Sequence, residues 1–266
     1  NRNFGLGGGD SPQIRTVATS LYGNTYLGGA ITGSGANAGR YLMTEFSGVD
    51  GTTIGSIWAF TAGGNARADG IAVDPIEEYV YVCGRGGGTY AGGWLARHRP
   101  DAAKTRDWIV AMPWGGGGNP TVHDPLKINR YGEIFVAGEN AAQTCLTKFN
   151  PVDGSQDWTY ISTDGSFAQA VEIDFDGNPY VTSLDDDGNG WITRKFDRLT
   201  GAVLWTATEA LGNPQDLAID NSGNVYVCGS GSVVNTFMVR KYNSAGVLEW
   251  SEQYGTTGVA RRVALD

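Results

Sequence analysis

Apolar and polar positions follow one another in short blocks, and no stretch shows the 3.6-residue period of an amphipathic helix. Four kinds of block recur in a fixed order. The first is an apolar strand, read in IRTVATS, DGIAVD, DPLKIN, QAVEID, QDLAID and RRVALD, centred on Val17, Ile71, Leu126, Val171, Leu217 and Val263. The second is GNTYLGG, EYVYVCG, GEIFVAG, GNPYVTS and GNVYVCG, centred on Tyr26, Tyr81, Phe135, Tyr180 and Tyr226. The third starts at Tyr41, Trp94, Cys145, Trp191 and Phe237 (YLMTEF, WLARHR, CLTKF, WITRKF, FMVRKY). The fourth carries Trp58, Trp108, Trp158, Trp205 and Trp250, at gaps of 50, 50, 47 and 45 residues. Clusters of Gly, Asn, Asp and Ser separate the blocks, as turns do.

Each period predicts four short antiparallel strands. Such a sheet repeating at this length is the signature of a propeller blade. VYV and IFV are unbroken apolar runs, as expected of strands covered on both faces. The closest match to a known pattern is DLAIDNSGNVYVCGSGSVVNTFMVRKYNSAGVLEWSEQYGTTG. It has an apolar strand ending in Asp, then Gly-Asn-x-Tyr-Val, then x-Lys-Tyr-x-x-x-Gly-x-x-x-Trp. On those residues the chain resembles the bacterial β-propeller repeat family of the seven-bladed repeat type. TGAVLW at Thr200 adds a distant resemblance to quinoprotein-like propellers, without the adjacent Cys pair. The resemblance implies a fold and carries no catalytic set. The expectation is an all-β propeller of four-stranded antiparallel blades, five complete and a sixth partial, forming one domain over 1–266. Asn3-Phe4-Gly5 matches Gln253-Tyr254-Gly255, the tail of a fourth strand. On that alignment the chain is a segment of a longer one.

Composition narrows the partners. Of 266 residues 41 are Gly, and the net charge is −9, which opposes a grip on nucleic-acid phosphates. No apolar run is long enough for a membrane-spanning helix, so no membrane insertion is expected. Cys83, Cys145 and Cys228 form no C-x-x-C pair and read as buried free thiols.

Candidate chemistry gathers on one face, where the loops are irregular: 30–40, 85–93 and 112–124. Tyr90, Trp94, Trp114 and His123 are expected to cluster there. Asp69, Asp124, Gln169 and Gln215 begin first strands and are expected to ring the channel mouth. Aromatics beside carboxylates and amides suit a glycan or a protein ligand. The opposite face is expected to carry regular Asx-Gly turns such as DNSGN. Lys127 and Glu172 replace an alanine of the repeat in neighbouring first strands and read as a channel ion pair. His98 reads as occupying the third-strand position of Lys148, Lys195 and Lys241.

Asp185, Asp187 and Asn189 have the spacing of the first half of a calcium loop, but the twelfth position is Phe196 instead of a carboxylate. Beyond that calcium reading, no cofactor is expected. There is no G-x-S-x-G, no H-E-x-x-H and no phosphate loop. The expected function is a non-catalytic module, structural or ligand-binding, of a secreted, cell-surface or virion protein. A carbohydrate-active enzyme using Asp69 and Asp124 is one alternative. A pure scaffold contacting protein neighbours is another.

Overall fold

The structure is a computed structural model. It describes residues 10–34, 39–62, 64–114, 125–141, 143–187, 190–210, 212–231, 236–255 and 258–266. The strands fall into consecutive four-stranded antiparallel meanders. The first comprises β1 (Asp10–Thr19), β2 (Thr25–Gly33), β3 (Arg40–Phe46) and β4 (Thr53–Phe60). The second comprises β5 (Arg67–Val73), β6 (Val80–Arg85), β7 (Trp94–His98) and β8 (Arg106–Ala111). A single bridge, Ala30 to Arg67, joins these two into one sheet. The third comprises β9 (Leu126–Ile128), β10 (Ile134–Asn140), β11 (Gln143–Phe149) and β12 (Gln156–Ile161). The fourth comprises β13 (Gly165–Ile173), β14 (Pro179–Asp185), β15 (Trp191–Phe196) and β16 (Val203–Glu209). The fifth comprises β17 (Asn213–Ile219), β18 (Val225–Ser230), β19 (Phe237–Tyr242) and β20 (Leu248–Tyr254). One 3-10 turn, Gly88–Tyr90, interrupts the pattern.

The chain divides into two compact bodies. One is 1–120 with 132–134 and 149–156; the other is 121–131, 135–148 and 157–266. In the first, Tyr26, Tyr41, Met43, Val80, Val82 and Trp94 form a buried core. In the second, one core is built on Phe135, Leu146, Val171, Val181 and Phe196, and another on Tyr180, Trp191, Leu217, Val227 and Tyr242. The inner strands β6, β10 and β14 are buried almost throughout, whereas β16 and β20 are largely exposed. That gradient explains the unbroken apolar runs of the second block and the polar fourth block.

Register corrects one sequence reading. Tyr180 pairs with Lys195 and Tyr226 with Lys241, and the residue that pairs with Tyr81 is Arg97. Arg97 therefore holds the lysine position. His98 pairs with Val80 as Tyr242 pairs with Val225, so it stands on the row of large apolar residues. A second correction concerns RRVALD. Residues 258–266 form no strand, because isolated bonds and no backbone ladder reach them. The segment is held instead by side chains and single bonds. The Val263 N–H donates to Asp216 Oδ2 (3.0 Å) and the Ala260 N–H to the Gly229 carbonyl (3.3 Å). The fourth-strand reading of Asn3-Phe4-Gly5 lies outside the described residues.

First strands share a β-bulge. Register slips across Arg15 in β1, Asp69 in β5, Gln169 in β13 and Gln215 in β17. Just beyond each slip the second strand crowds the first. A Cβ on Gly29, Gly84 or Gly229 would collide with the carbonyl of Gln13, Arg67 or Asn213. These glycines are required by close approach. The fourth meander has Ser183 at that place and carries an additional slip in β13 between Gly165 and Ala168.

Candidate functional site

The bulge row is the row predicted for the channel mouth. Asp69, Gln169 and Gln215 occupy it, and Arg15 joins them from β1. Asp124 and His123 lie outside the described residues. Asp69 is buried under three guanidiniums. Arg15 Nε lies 2.9 Å from Oδ1, Arg67 Nε 3.0 Å from Oδ2, and Arg85 Nε 3.8 Å from Oδ2. The arginines were missed by sequence reasoning. A signal existed: Arg15 stands two residues before Val17, as Asp69 stands two before Ile71 and Gln215 two before Leu217. Gln169 turns its amide to the Phe167 carbonyl, 3.3 Å, and Gln215 to Asn213 Oδ1, 3.0 Å.

Of the predicted aromatics, Trp94 and Tyr90 do meet, but within the core of the first body. Trp94 is fully buried in β7, its ring centroid 4.3 Å from that of Tyr41. Trp114 is buried as well. Tyr90, in the 3-10 turn, is half-buried against the core of the first body. A β-strand flanked by packed sheets has no solvent face, so the block pattern that placed Trp94 in a third strand already argued for burial.

Lys127 and Glu172 form the expected ion pair, 2.9 Å between Nζ and Oε2. They line a cavity of about 370 Å³ with Asp216, Arg262 and Val263. Asp185 closes the β14–β15 hairpin through its backbone N–H and the Gly190 carbonyl, 3.1 Å. Asp187 follows in the turn, and Asn189 lies outside the described residues. No group of three His, Cys, Asp or Glu side chains poised to hold a metal occurs among the described residues.

The opposite turns hold repeated charge clusters. Asp174 Oδ1 accepts from the Asn178 N–H (2.8 Å), and its Oδ2 accepts from the Tyr180 hydroxyl (3.1 Å) and Lys195 Nζ (2.9 Å). Burial, with the Asp174 charge beside it, pushes the Tyr180 hydroxyl pKa up. The first meander builds the same object differently. Glu45 Oε1 accepts from the Tyr26 hydroxyl, 2.7 Å, and Glu45 Oε2 from Lys104 Nζ, 2.9 Å. Lys104 comes from the β7–β8 turn with φ +46°, where the later repeats have glycine. Nearby, the Lys104 carbonyl accepts from His98 Nδ1 (2.8 Å), so Nε2 is the acceptor for the Tyr41 hydroxyl (3.1 Å). Burial pulls the His98 pKa down to about 4, so the ring is neutral.

Tryptophans of the fourth strands seat on the next meander. A Cβ on Gly154 would press on Trp108 at 2.9 Å, on Gly201 on Trp158 at 2.7 Å, and on Gly246 on Trp205 at 2.6 Å. Trp158 Nε1 donates to the Arg198 carbonyl (3.2 Å) and Trp205 Nε1 to the Ser244 carbonyl (3.1 Å). At Trp108 the corresponding carbonyl, Pro151, is taken by Arg97 Nη1 (2.5 Å). Trp108 Nε1 has no partner among the described residues. Trp58 meets Lys104, whose Nζ lies 5.8 Å from its ring.

Repeated four-stranded antiparallel meanders with a Trp-bearing outer strand define a β-propeller repeat fold. Residues 198–235 match the family described as the beta-propeller repeat. Among curated proteins none matches the sequence. Hydrazine synthase of Kuenenia stuttgartiensis is similar with TM-score 0.66 and 14% identity over 90% of this chain. The chain spans 64% of that protein's length. The Dos1 propeller is similar with TM-score 0.62 and 12% identity, over 93% of this chain and 75% of its own. A functionally unknown protein of Desulfotomaculum acetoxidans gives TM-score 0.57 and 13% identity, over 93% and 74%. These likenesses establish the β-propeller fold alone.

Proposed function

We propose that the chain is a non-catalytic β-propeller module of five blades, with 258–266 opening a sixth. It serves as a structural or ligand-binding part of a larger secreted, cell-surface or virion protein. The observation that carries this is the unfilled tryptophan seat. Trp158 and Trp205 are each covered by the following hairpin, whereas Trp250 is 40% exposed on a strand exposed from end to end. A further blade with a glycine at the same hairpin position would cover it. The non-catalytic reading is supported by the engagement of the titratable groups: Asp69 by arginines, Glu172 by Lys127, His98 by Tyr41 and a carbonyl.

Two measurements test this. The polypeptide in its native source is expected to have a mass well above the 28.2 kDa of this chain. In the isolated chain, acrylamide is expected to quench one tryptophan readily, and Trp250→Phe to remove that component. A native mass near 28.2 kDa with Trp250 shielded from quencher refutes the further blade. Turnover of a glycan that disappears in Asp69→Asn refutes the non-catalytic reading.

A further inference from the structure

Where β2, still paired with β1, bridges to β5 at Ala30 and Arg67, the first body holds a cavity of about 520 Å³. Its volume falls in the range of about 300–1,000 Å³ usual for small-molecule sites. Gln13, Arg15, Thr32, Asn65 and Arg67 line it, over a floor that includes Ile31. Ala30 and Gly39 also border it.

The two arginines are the informative residues. Both spend Nε on Asp69, at 2.9 and 3.0 Å. Their terminal nitrogens make no bond among the described residues, although both side chains are about a third exposed, 39% and 31%. A guanidinium fixed at Nε presents its remaining N–H groups as a rigid fork, the geometry that grips a planar carboxylate in two parallel bonds. Asp69 anchors the forks from behind and does not line the cavity. The amides of Gln13 and Asn65 supply paired donors and acceptors, which suit adjacent ring hydroxyls.

We propose that this cavity binds an acidic monosaccharide unit, with Arg15 and Arg67 gripping its carboxylate and Gln13 and Asn65 addressing its hydroxyls. The proposal rests on the ligand-binding side of the function proposed above and names the class of ligand.

The test titrates the full chain with D-glucuronate, D-glucose, acetate and inorganic phosphate, read by calorimetry and by saturation-transfer NMR. Glucuronate is expected to bind, with glucose and acetate each weaker by about tenfold or more, since each lacks one half of the contacts. Phosphate is expected to compete poorly. Arg15→Gln is expected to weaken glucuronate by about tenfold, as loss of a charge-assisted pair does. Because Arg15 also holds Asp69, Gln13→Leu is the second variant. Its side chain is exposed, and about a threefold loss is expected from one missing hydrogen bond. No glucuronate signal in the folded chain overturns the assignment. So does glucose binding equal to glucuronate, or phosphate displacing it at matched concentration. If glucose binds and glucuronate does not, this site is lost while the ligand-binding reading stands. The blade-count reading is judged separately, by Trp250 quenching.

Discussion

The first and fourth meanders solve one problem with different wiring. In the fourth, acid, phenol and amine all come from the same sheet: Asp174 precedes β14, Tyr180 lies in it, and Lys195 lies in β15. In the first, the acid has moved to β3 as Glu45, and the amine arrives from the next meander as Lys104. The local version is a closed sheet motif. The split version also fastens two neighbours together, and both of its charged side chains are only 5% exposed. The turns differ in the same sense. Gly201 of the fourth meander supports Trp158, while a Cβ on Gly51 of the first would meet nothing within 4 Å.

The split cluster is where the comparison is most easily broken. Lys104→Met leaves Glu45 buried without its cation, and unfolding in denaturant is expected to show a loss of about 3–5 kcal/mol. Lys195→Met leaves Asp174 with the Asn178 N–H and the Tyr180 hydroxyl, as Lys104→Met leaves Glu45 with the Asn24 amide and the Tyr26 hydroxyl, but it severs no tie between neighbouring meanders, so the expected loss is about 1–3 kcal/mol. Equal losses in the two variants remove the distinction.

Acid sharpens it. Folded His98 titrates at about 4, below the 6.5 of the free ring, so between those values the unfolded chain takes a proton that the folded chain refuses. The stability due to His98 is complete above 6.5 and falls by about 3 kcal/mol as the pH drops to 4. The fourth meander has Phe196 in that row. His98→Phe is therefore expected to flatten the stability–pH slope in this window, whatever its effect at neutral pH. A slope unchanged by the substitution assigns the acid sensitivity elsewhere.

Glycine replacement measures the seat. Gly201→Ala is expected to cost about 3 kcal/mol, combining a positive φ with a clash against Trp158. Gly51→Ala, with φ +67° but open space, is expected to cost about 1 kcal/mol. The smallest effect is at the thiols. Burial pushes Cys145 and Cys228 up to about 12, and Cys83 is buried too. Native protein is expected to show no labelling by iodoacetamide until denaturant is added.

The fold was legible because one rule repeats. An aromatic second strand, a third that is cationic in all but the first repeat and a Trp-bearing fourth recur at nearly constant spacing, and each block except RRVALD forms a strand in the predicted order. Errors came where a repeat substitutes one residue for another role. Reading WLARHR by its charges placed His98 one position out, since Arg97 and His98 both resemble lysine. The loop neighbours of Trp94 suggest a surface aromatic, whereas its strand position buries it. The Glu45–Lys104 pair spans 59 positions of sequence, and nothing local announces it. The arginines around Asp69 follow from register, and the bulge that brings them together is marked in the sequence only indirectly, by the glycine that the second strand needs opposite it.

The tryptophan seat has a direction. Trp108, Trp158 and Trp205 are each covered by a hairpin that comes later in the chain. On a ribosome, a finished meander therefore stays unsealed until the next third and fourth strands have emerged. The growing protein carries one bare indole at its leading edge, and that edge advances by one repeat at a time. A translational pause just before a hairpin glycine would lengthen the life of a sticky, unpaired sheet, whereas a pause just after it would not.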